Sequence, residues 1–218
     1  YRRHTNFSME TIEQTINGTP AASGNSTVTI SRNGDLVHRV YVTNANANVS
    51  DGSQMVSEVE LEIGGQRIDR HYQEWMDIWN ELTTPESKAI GLKSMQGAVS
   101  DQVASGVDMV QVPLQFWFCR NPGLALPLIA LQYHEVKLKF TWGSTAAGDV
   151  TGCKVVCDYI YLDTDERRRF AQVSHEYLIE QLQKQTSGGT VSEKLNFNHP
   201  VKELVWTNQA SADYDTAQ

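Results

Sequence analysis

The sequence predicts an all-β protein, an antiparallel sandwich of about eight strands with short helical insertions. The heaviest apolar stretch, Val107–Trp142, alternates with period two and carries no helical stripe. Val110, Val112, Leu114, Phe116 and Phe118 are interleaved with Gln111, Pro113 and Gln115, and Val136, Leu138, Phe140 and Trp142 with Glu135, Lys137, Lys139 and Thr141. One buried face per strand explains that pattern. Turn chemistry separates most apolar runs, and Asn121-Pro122-Gly123 sits between these two, where proline fixes φ and glycine accepts φ > 0. The composition, 40% hydrophobic and 9% aromatic over 218 residues, suffices for a single core.

Taken in order, Phe7, Met9 and Ile12 outline a bent first strand. Val28 and Ile30 precede Arg32-Asn33-Gly34-Asp35, and Leu36 to Val42 resumes. Asn-Gly between apolar runs predicts a hairpin. Asn44–Gln54 reads as a polar loop. Val59, Leu61 and Ile63 alternate with Glu58, Glu60 and Glu62, a half-exposed strand that ends at Gly64-Gly65. Ile68, Tyr72, Trp75, Met76, Trp79 and Leu82 recur at helical spacing, so an amphipathic helix of about four turns is expected, closed by Pro85. Ser87–Ser105 reads as a loop with weak local structure.

Beyond the central stretch, Gly143–Gly152 is a small-residue loop and CKVVCDYIYLD a strand buried on both faces. Asp163 to Glu166 followed by Arg167–Arg169 predicts a short helix with acids in its first turn. HEYLIEQLQ is compatible with a strand or a helix. VSEKLNFN and VKELVWT read as two further strands. No repeat or composition shift marks a second domain, so residues 1–207 are expected to form one domain and 208–218 a linker or the start of another.

The formal charge of −8 argues against a nucleic-acid-packing surface. The cysteines, Cys119, Cys153 and Cys157, are odd in number, which favours free thiols in a reducing compartment, with Cys119 and Cys157 inside strands. No apolar run approaches the ~18 residues of a membrane span. His4, His38, His71, His134, His175 and His199 show no metal-ligand spacing, and there is no Cys-x-x-Cys. His134 and Glu135 would point to opposite faces of one strand. Gly143 and Gly148 bracket four residues as in a phosphate loop, but Asp149 occupies the position that needs lysine. Arg167–Arg169 reads as a solvated helix face paired with its own acids. Trp75, Trp79, Trp117, Trp142 and Trp206 fall on apolar faces, where packing outweighs a sugar platform. No catalytic, cofactor or metal residue is expected. Asn17, Asn25 and Asn48 begin Asn-x-Ser/Thr sequons, with Asn25 and Asn48 placed in loops, and are the candidate modification sites.

The block from Pro122 to Lys137, PGLALPLIALQYHEVK, resembles the major capsid proteins of large icosahedral DNA viruses, those of algal phycodnaviruses more than iridoviruses. YRRHTNF at Tyr1–Phe7, ISRNGDL at Ile30–Leu36, VELEIGGQRID at Val59–Asp69, DYIYLDT at Asp158–Thr164, HEYLIEQLQ at His175–Gln183 and LNFNHP at Leu195–Pro200 agree in the same order. The resemblance implies the first, eight-stranded half of a double jelly roll. The whole subunit would trimerise into pseudo-hexameric capsomers that tile an icosahedral shell. It further implies a short segment before Tyr1 and a second jelly roll after the last block, so that the chain is a fragment. Expected partners are other copies, neighbouring capsomers and minor capsid proteins, over an inner viral membrane that the protein does not enter. Virion localisation after assembly in the host cytoplasm follows from the same source. A carbohydrate-binding jelly roll for host attachment is the alternative, and a cupin-like metalloenzyme is opposed by the missing histidine pair. The Pro-Gly-Leu-Ala-Leu-Pro corner is expected to be a buried hinge, with Leu126 and Leu128 inside.

Overall fold

The computed structural model describes residues 5–45, 52–97, 109–144, 150–187 and 192–207. The chain divides into two compact units, Tyr1–Leu182 and Gln183–Gln218. In the first, strands β1 (Phe7–Gln14), β2 (Ile16–Asn17), β3 (Asn25–Thr29), β4 (Leu36–Asn44), β5 (Val56–Ile63) and β6 (Gln66–Tyr72) precede helices α1 (Gln73–Thr83) and α2 (Glu86–Gln96). Then come β7 (Val110–Pro113), the helical turn α3 (Trp117–Arg120), β8 (Leu126–Pro127), β9 (Val136–Trp142), β10 (Cys153–Leu162) and α4 (Thr164–Gln172).

One sheet has the order β1-β10-β4-β7, with β8 on β4, and the other β2-β3-β9-β5-β6. Every pairing is antiparallel, and the partners nest: β1 with β10, β3 with β9, β4 with β7, β5 with β6. A two-stranded ribbon wound on itself gives that nesting, which is the jelly roll. Among the described residues eight strands are four residues or longer, in keeping with the expected eight. Their membership differs, however, because β6 is a strand where a helix was expected, while the described residues of VSEKLNFN and VKELVWT, expected as strands, form none.

The core lies between the inner faces. Val40, Val42, Val112, Val155, Cys157 and Tyr159 of one sheet meet Val28, Val59, Leu61, Leu138, Phe140 and Trp142 of the other, all nearly or fully inaccessible. Near one end Gln14 is a buried polar hub. Its Oε1 accepts from Ser31 N, Ser31 Oγ and the Tyr159 hydroxyl at 3.0, 2.8 and 3.0 Å. Buried polar atoms satisfied in this way fix the geometry of a core without exposing it.

Several sequence expectations are corrected. The run Val110–Phe118 is not one strand. It leaves the ladder at Pro113, and α3 then buries Trp117, Phe118 and Cys119 together, which no one-faced strand can do. Cys119 therefore lies in a helical turn. The two halves of the central stretch lie in different sheets, so the corner between them is a crossover. Leu126 and Leu128 are buried as expected, with Leu126 paired to Val37, while Pro122 and Gly123 stay at the surface.

Asn33-Gly34 closes no hairpin either, since β3 and β4 belong to opposite sheets. Gly34 is needed for space: a Cβ there would stand 2.8 Å from Tyr159 Cβ. The true hairpin is Gly64-Gly65, with φ of +60° and +83°, as a type I′ turn requires.

The expected helix starts late, because Ile68 and Tyr72 belong to β6 and α1 begins at Gln73. Residues 86–96 form α2, ended by Gly97 at φ +76° with its N–H on the carbonyls of Lys93 and Ser94. Its apolar residues Ala89, Ile90, Leu92 and Met95 do not form one stripe, so periodicity missed it. His134 and Glu135 lie in the turn before β9, not in a strand. The described residues after Gln172 form neither helix nor strand.

Within the second unit, glutamine side chains stand in for ladder partners. Gln185 Nε2 donates to Lys194 O at 2.7 Å and its Oε1 accepts from Asn196 N at 2.9 Å. Gln183 Oε1 accepts from Asn198 N at 2.9 Å. Leu195, Val201, Leu204 and Trp206 are exposed.

Candidate functional site

Register places Asn25, Asn44, Val56, Tyr72, Val110, Trp142 and Cys153 together at one end of the sandwich, the loop end. A shallow cavity of 240 Å³ at the loop end is lined by Ser23, Gln54, Ser57, Gln73, Thr141 and Trp142, among others. None of these side chains is an acid, a base or a nucleophile at neutral pH.

Histidine is the side chain whose ordinary titration lies nearest neutrality. His38 is buried, with Nδ1 2.8 Å from the carbonyl of Phe118. His71 Nε2 lies 2.9 Å from Asp69 Oδ2, and its ring stacks on Phe116 at 4.5 Å. The Asp69–His71 pair was missed from sequence because residues 68–72 read as helix. Recognised as a strand, Asp-x-His would have placed both side chains on one face. A carboxylate beside an imidazole is half of a catalytic arrangement, yet the two side chains are only 1% and 2% exposed. Both side chains are closed to solvent, and the imidazole packs on Phe116 in the core.

The cysteines are equally withdrawn. Burial pushes the Cys119 thiol up to about 12 and raises that of Cys157 as well. A thiol held protonated is neither nucleophile nor ligand. Cys153 Sγ contacts Met55 Sδ at 3.8 Å. Among the described residues no group of three or more His, Cys, Asp or Glu side chains could hold a metal ion.

The tryptophans divide. Trp142 donates Nε1–H to Ser26 Oγ at 2.7 Å and stacks on Phe140 at 5.1 Å, and Trp117 is buried. The half-buried Trp79 lies under the Arg120 guanidinium, 3.7 Å from its ring centre. Trp206 is 86% exposed, so it does not share the core placement expected of it. Arg167 bonds Asp35 at 2.9 Å across the chain rather than an acid of its own helix, while Arg168 reaches Asp165 only at 4.0 Å. Asn17 is exposed in β2. Asn25 opens β3 instead of lying in a loop, and its Oδ1 accepts from Thr141 Oγ1 at 3.0 Å. Asn48 and Asp149 lie outside the described residues.

The outer face of the second sheet carries an ion-pair lattice. Arg70 joins Glu58 and Glu60 at 3.2 and 2.8 Å, and Lys139 joins Glu62 and, at 3.9 Å, Glu60. Strand β1 is an edge of the other sheet and leaves Phe7 and Met9 exposed. Buried histidines, thiols held protonated by burial and broad exposed strand faces describe a jelly roll whose accessible features are its faces and edges.

Comparison with known proteins then gives the family. The profile described as "Major capsid protein N-terminus" matches residues 1–163, and that described as "Large eukaryotic DNA virus major capsid protein" matches residues 166–218. The chain belongs to the major capsid protein family of large eukaryotic DNA viruses. It is 55% identical to the major capsid protein of Pyramimonas orientalis virus, over 99% of this chain and 61% of that one. With the major capsid protein of Paramecium bursaria Chlorella virus 1 the identity is 40%, over 98% and 55%. The solved VP54 of PBCV-1 superposes with a TM-score of 0.73 at 43% identity, covering 84% of this chain and 49% of that one. The Faustovirus major capsid protein, 12% identical with a TM-score of 0.61, shares the fold. The chain thus spans about half the length of these relatives. Their names favour a structural capsid role over the carbohydrate-binding alternative.

Proposed function

We propose that this chain is the first jelly roll of a major capsid protein, and that the whole protein is a non-enzymatic shell subunit. Three copies would form a pseudo-hexameric capsomer, and capsomers, with minor capsid proteins, would tile an icosahedral virion shell. The observation that carries this reading is the order of the two family profiles along one chain, the first over a closed, nested jelly roll. Residues beyond Leu182 would lead into the second jelly roll. Their exposed Leu195, Val201, Leu204, Val205 and Trp206 are apolar side chains without cover in this unit, which supports that reading. The partition at residue 207 read from sequence would then move back toward Leu182.

The mechanism is geometric. A stiff sandwich holds its edges and loops in fixed positions, and burial between subunits, of the order of 1,200 Å² or more per stable contact, drives assembly. The charge of −8 disfavours direct contact with nucleic acid. An inner viral membrane would lie nearby without insertion, and no helix among the described residues is long and apolar enough to cross one. Assembly would take place in the host cytoplasm. Asn17 and Asn25, exposed on the sandwich, and Asn48 are the candidate glycan acceptors.

The test is the solution mass of the full-length protein by sedimentation equilibrium. A mass of three chains, independent of added sugars, supports the proposal. A strict monomer that binds glycans overturns it.

A further inference from the structure

The second family profile begins at residue 166, yet the first compact unit runs to Leu182. Residues 173–182 therefore belong by sequence to the region that follows and by packing to the jelly roll. The segment has no regular structure, but it lies down with one face. His175, Tyr177 and Ile179 are half-buried, Ile179 against the main core, while Glu176, Leu178 and Glu180 are exposed. That is the period of extended chain on a surface.

Specific bonds hold it there. Leu182 N–H donates to Asp69 Oδ1 at 3.0 Å, and Gln181 Nε2 donates to the Ile68 carbonyl at 2.5 Å, both on β6. Glu180 Oε2 accepts from Arg120 Nη1 at 2.9 Å. Neither anchor is a loose surface side chain. Asp69 also accepts from Arg70 N at 2.8 Å and meets His71 at 2.9 Å. Arg120 is fixed from two further sides, through Nε to Gln115 O at 2.9 Å and through its stack on Trp79. A hydrogen bond from a main-chain N–H to a buried, preorganised carboxylate is among the stronger kinds, because the acceptor needs no ordering when the bond forms.

We propose that residues 173–182 are a latch, anchored on Asp69 and Arg120, that covers β6 and fixes the point and direction at which the chain leaves the jelly roll. It rests on the reading that a second domain follows, and it assigns Asp69 and Arg120 a positioning role that neither family profile describes. An edge strand covered in this way is also closed to adventitious strand pairing.

Hydrogen–deuterium exchange on the full-length protein tests it. Peptides spanning 175–182 are expected to exchange more slowly than unstructured chain. The double variant Glu180→Ala/Gln181→Ala, confined to the exposed strap, is expected to speed their exchange about tenfold and leave β5 and β9 peptides unchanged. Asp69→Asn should loosen the same peptide. If that variant disturbs β5 and β9 too, the strap variant alone decides. Unprotected exchange of 175–182 in the native protein, or no change in the strap variant, overturns the latch. The solution mass is a separate measurement, so failure of the latch and failure of the capsomer reading are distinguishable.

Discussion

Replacing Gly34 with alanine tests the close approach of the crossover backbone to Tyr159. In the structure Gly34 has no positive φ, so alanine meets no backbone penalty there. What it meets is Tyr159: the added methyl would stand 2.8 Å from Cβ, 3.0 Å from Cδ1 and 3.2 Å from Cγ. Carbon atoms are comfortable at about 3.5–4.0 Å, so the overlap at Cβ is roughly 0.7 Å or more. Tyr159 cannot swing away, because it is fully buried and its hydroxyl bonds Gln14 and Ser31. The backbone of the crossover must move instead, at about 1–3 kcal/mol, the cost of overpacking a filled core. The same exchange at an open position with negative φ stabilises by about 0.4–1 kcal/mol through the unfolded chain. The sign of the effect therefore discriminates. A Cβ added to Gly91 in α2 would have nothing within 4 Å, so that position serves as the control. Urea denaturation of the two variants should move the midpoints in opposite directions, down for Gly34→Ala and up for Gly91→Ala. A Gly34→Ala protein as stable as the parent, or more so, would refute the close approach to Tyr159.

Two further outcomes follow from the core. Trp142→Phe removes the donor to Ser26 Oγ and part of a buried ring. The expected loss is about 2–4 kcal/mol in the same denaturation assay, and a loss below about 0.5 kcal/mol would contradict the packing role. The thiols set an alkaline limit. Burial holds Cys119 up at about 12, whereas a thiol in the unfolded chain titrates near 8.5. The folded value is the higher one, so this contribution to stability is complete below about pH 8.5 and is lost as pH rises from there toward about 12. Urea midpoints should fall between pH 8 and 10, and Cys119 and Cys157 should resist a thiol reagent at pH 8 until the protein unfolds. Rapid native labelling would show that the thiols are not enclosed.

Much of this architecture was legible in the residues. The alternation in β5 and β9, the turn at Gly64-Gly65 and the acid-first helix α4 are local patterns, and each agrees with the tertiary result, although the strand that follows the turn read as helix. The errors arose where two elements share one periodicity. Ile68 and Tyr72 fall on both the strand β6 and a backward extension of α1, and only pairing of β6 with β5 decides between them. Helix α2 lacked a stripe because it buries little. Residues 117–120 turn helical, which accommodates the four consecutive buried positions 116–119 that one face of a strand cannot hold. Asn33-Gly34 misled for another reason: a glycine required for contact is indistinguishable, in sequence, from one required for φ. The Asp69–His71 pair was hidden by the misplaced helix start, because residues 68–72 read as helix. The tail carries apolar residues in sequence, yet apolar residues without partner strands do not make a ladder.

Electron cryo-microscopy of the full-length oligomer tests the central claim most directly. The expected reconstruction is a closed ring of threefold symmetry in which this sandwich alternates with a second one, with residues 173–182 lying along β6. A single isolated sandwich, or an assembly without that ring, would contradict it.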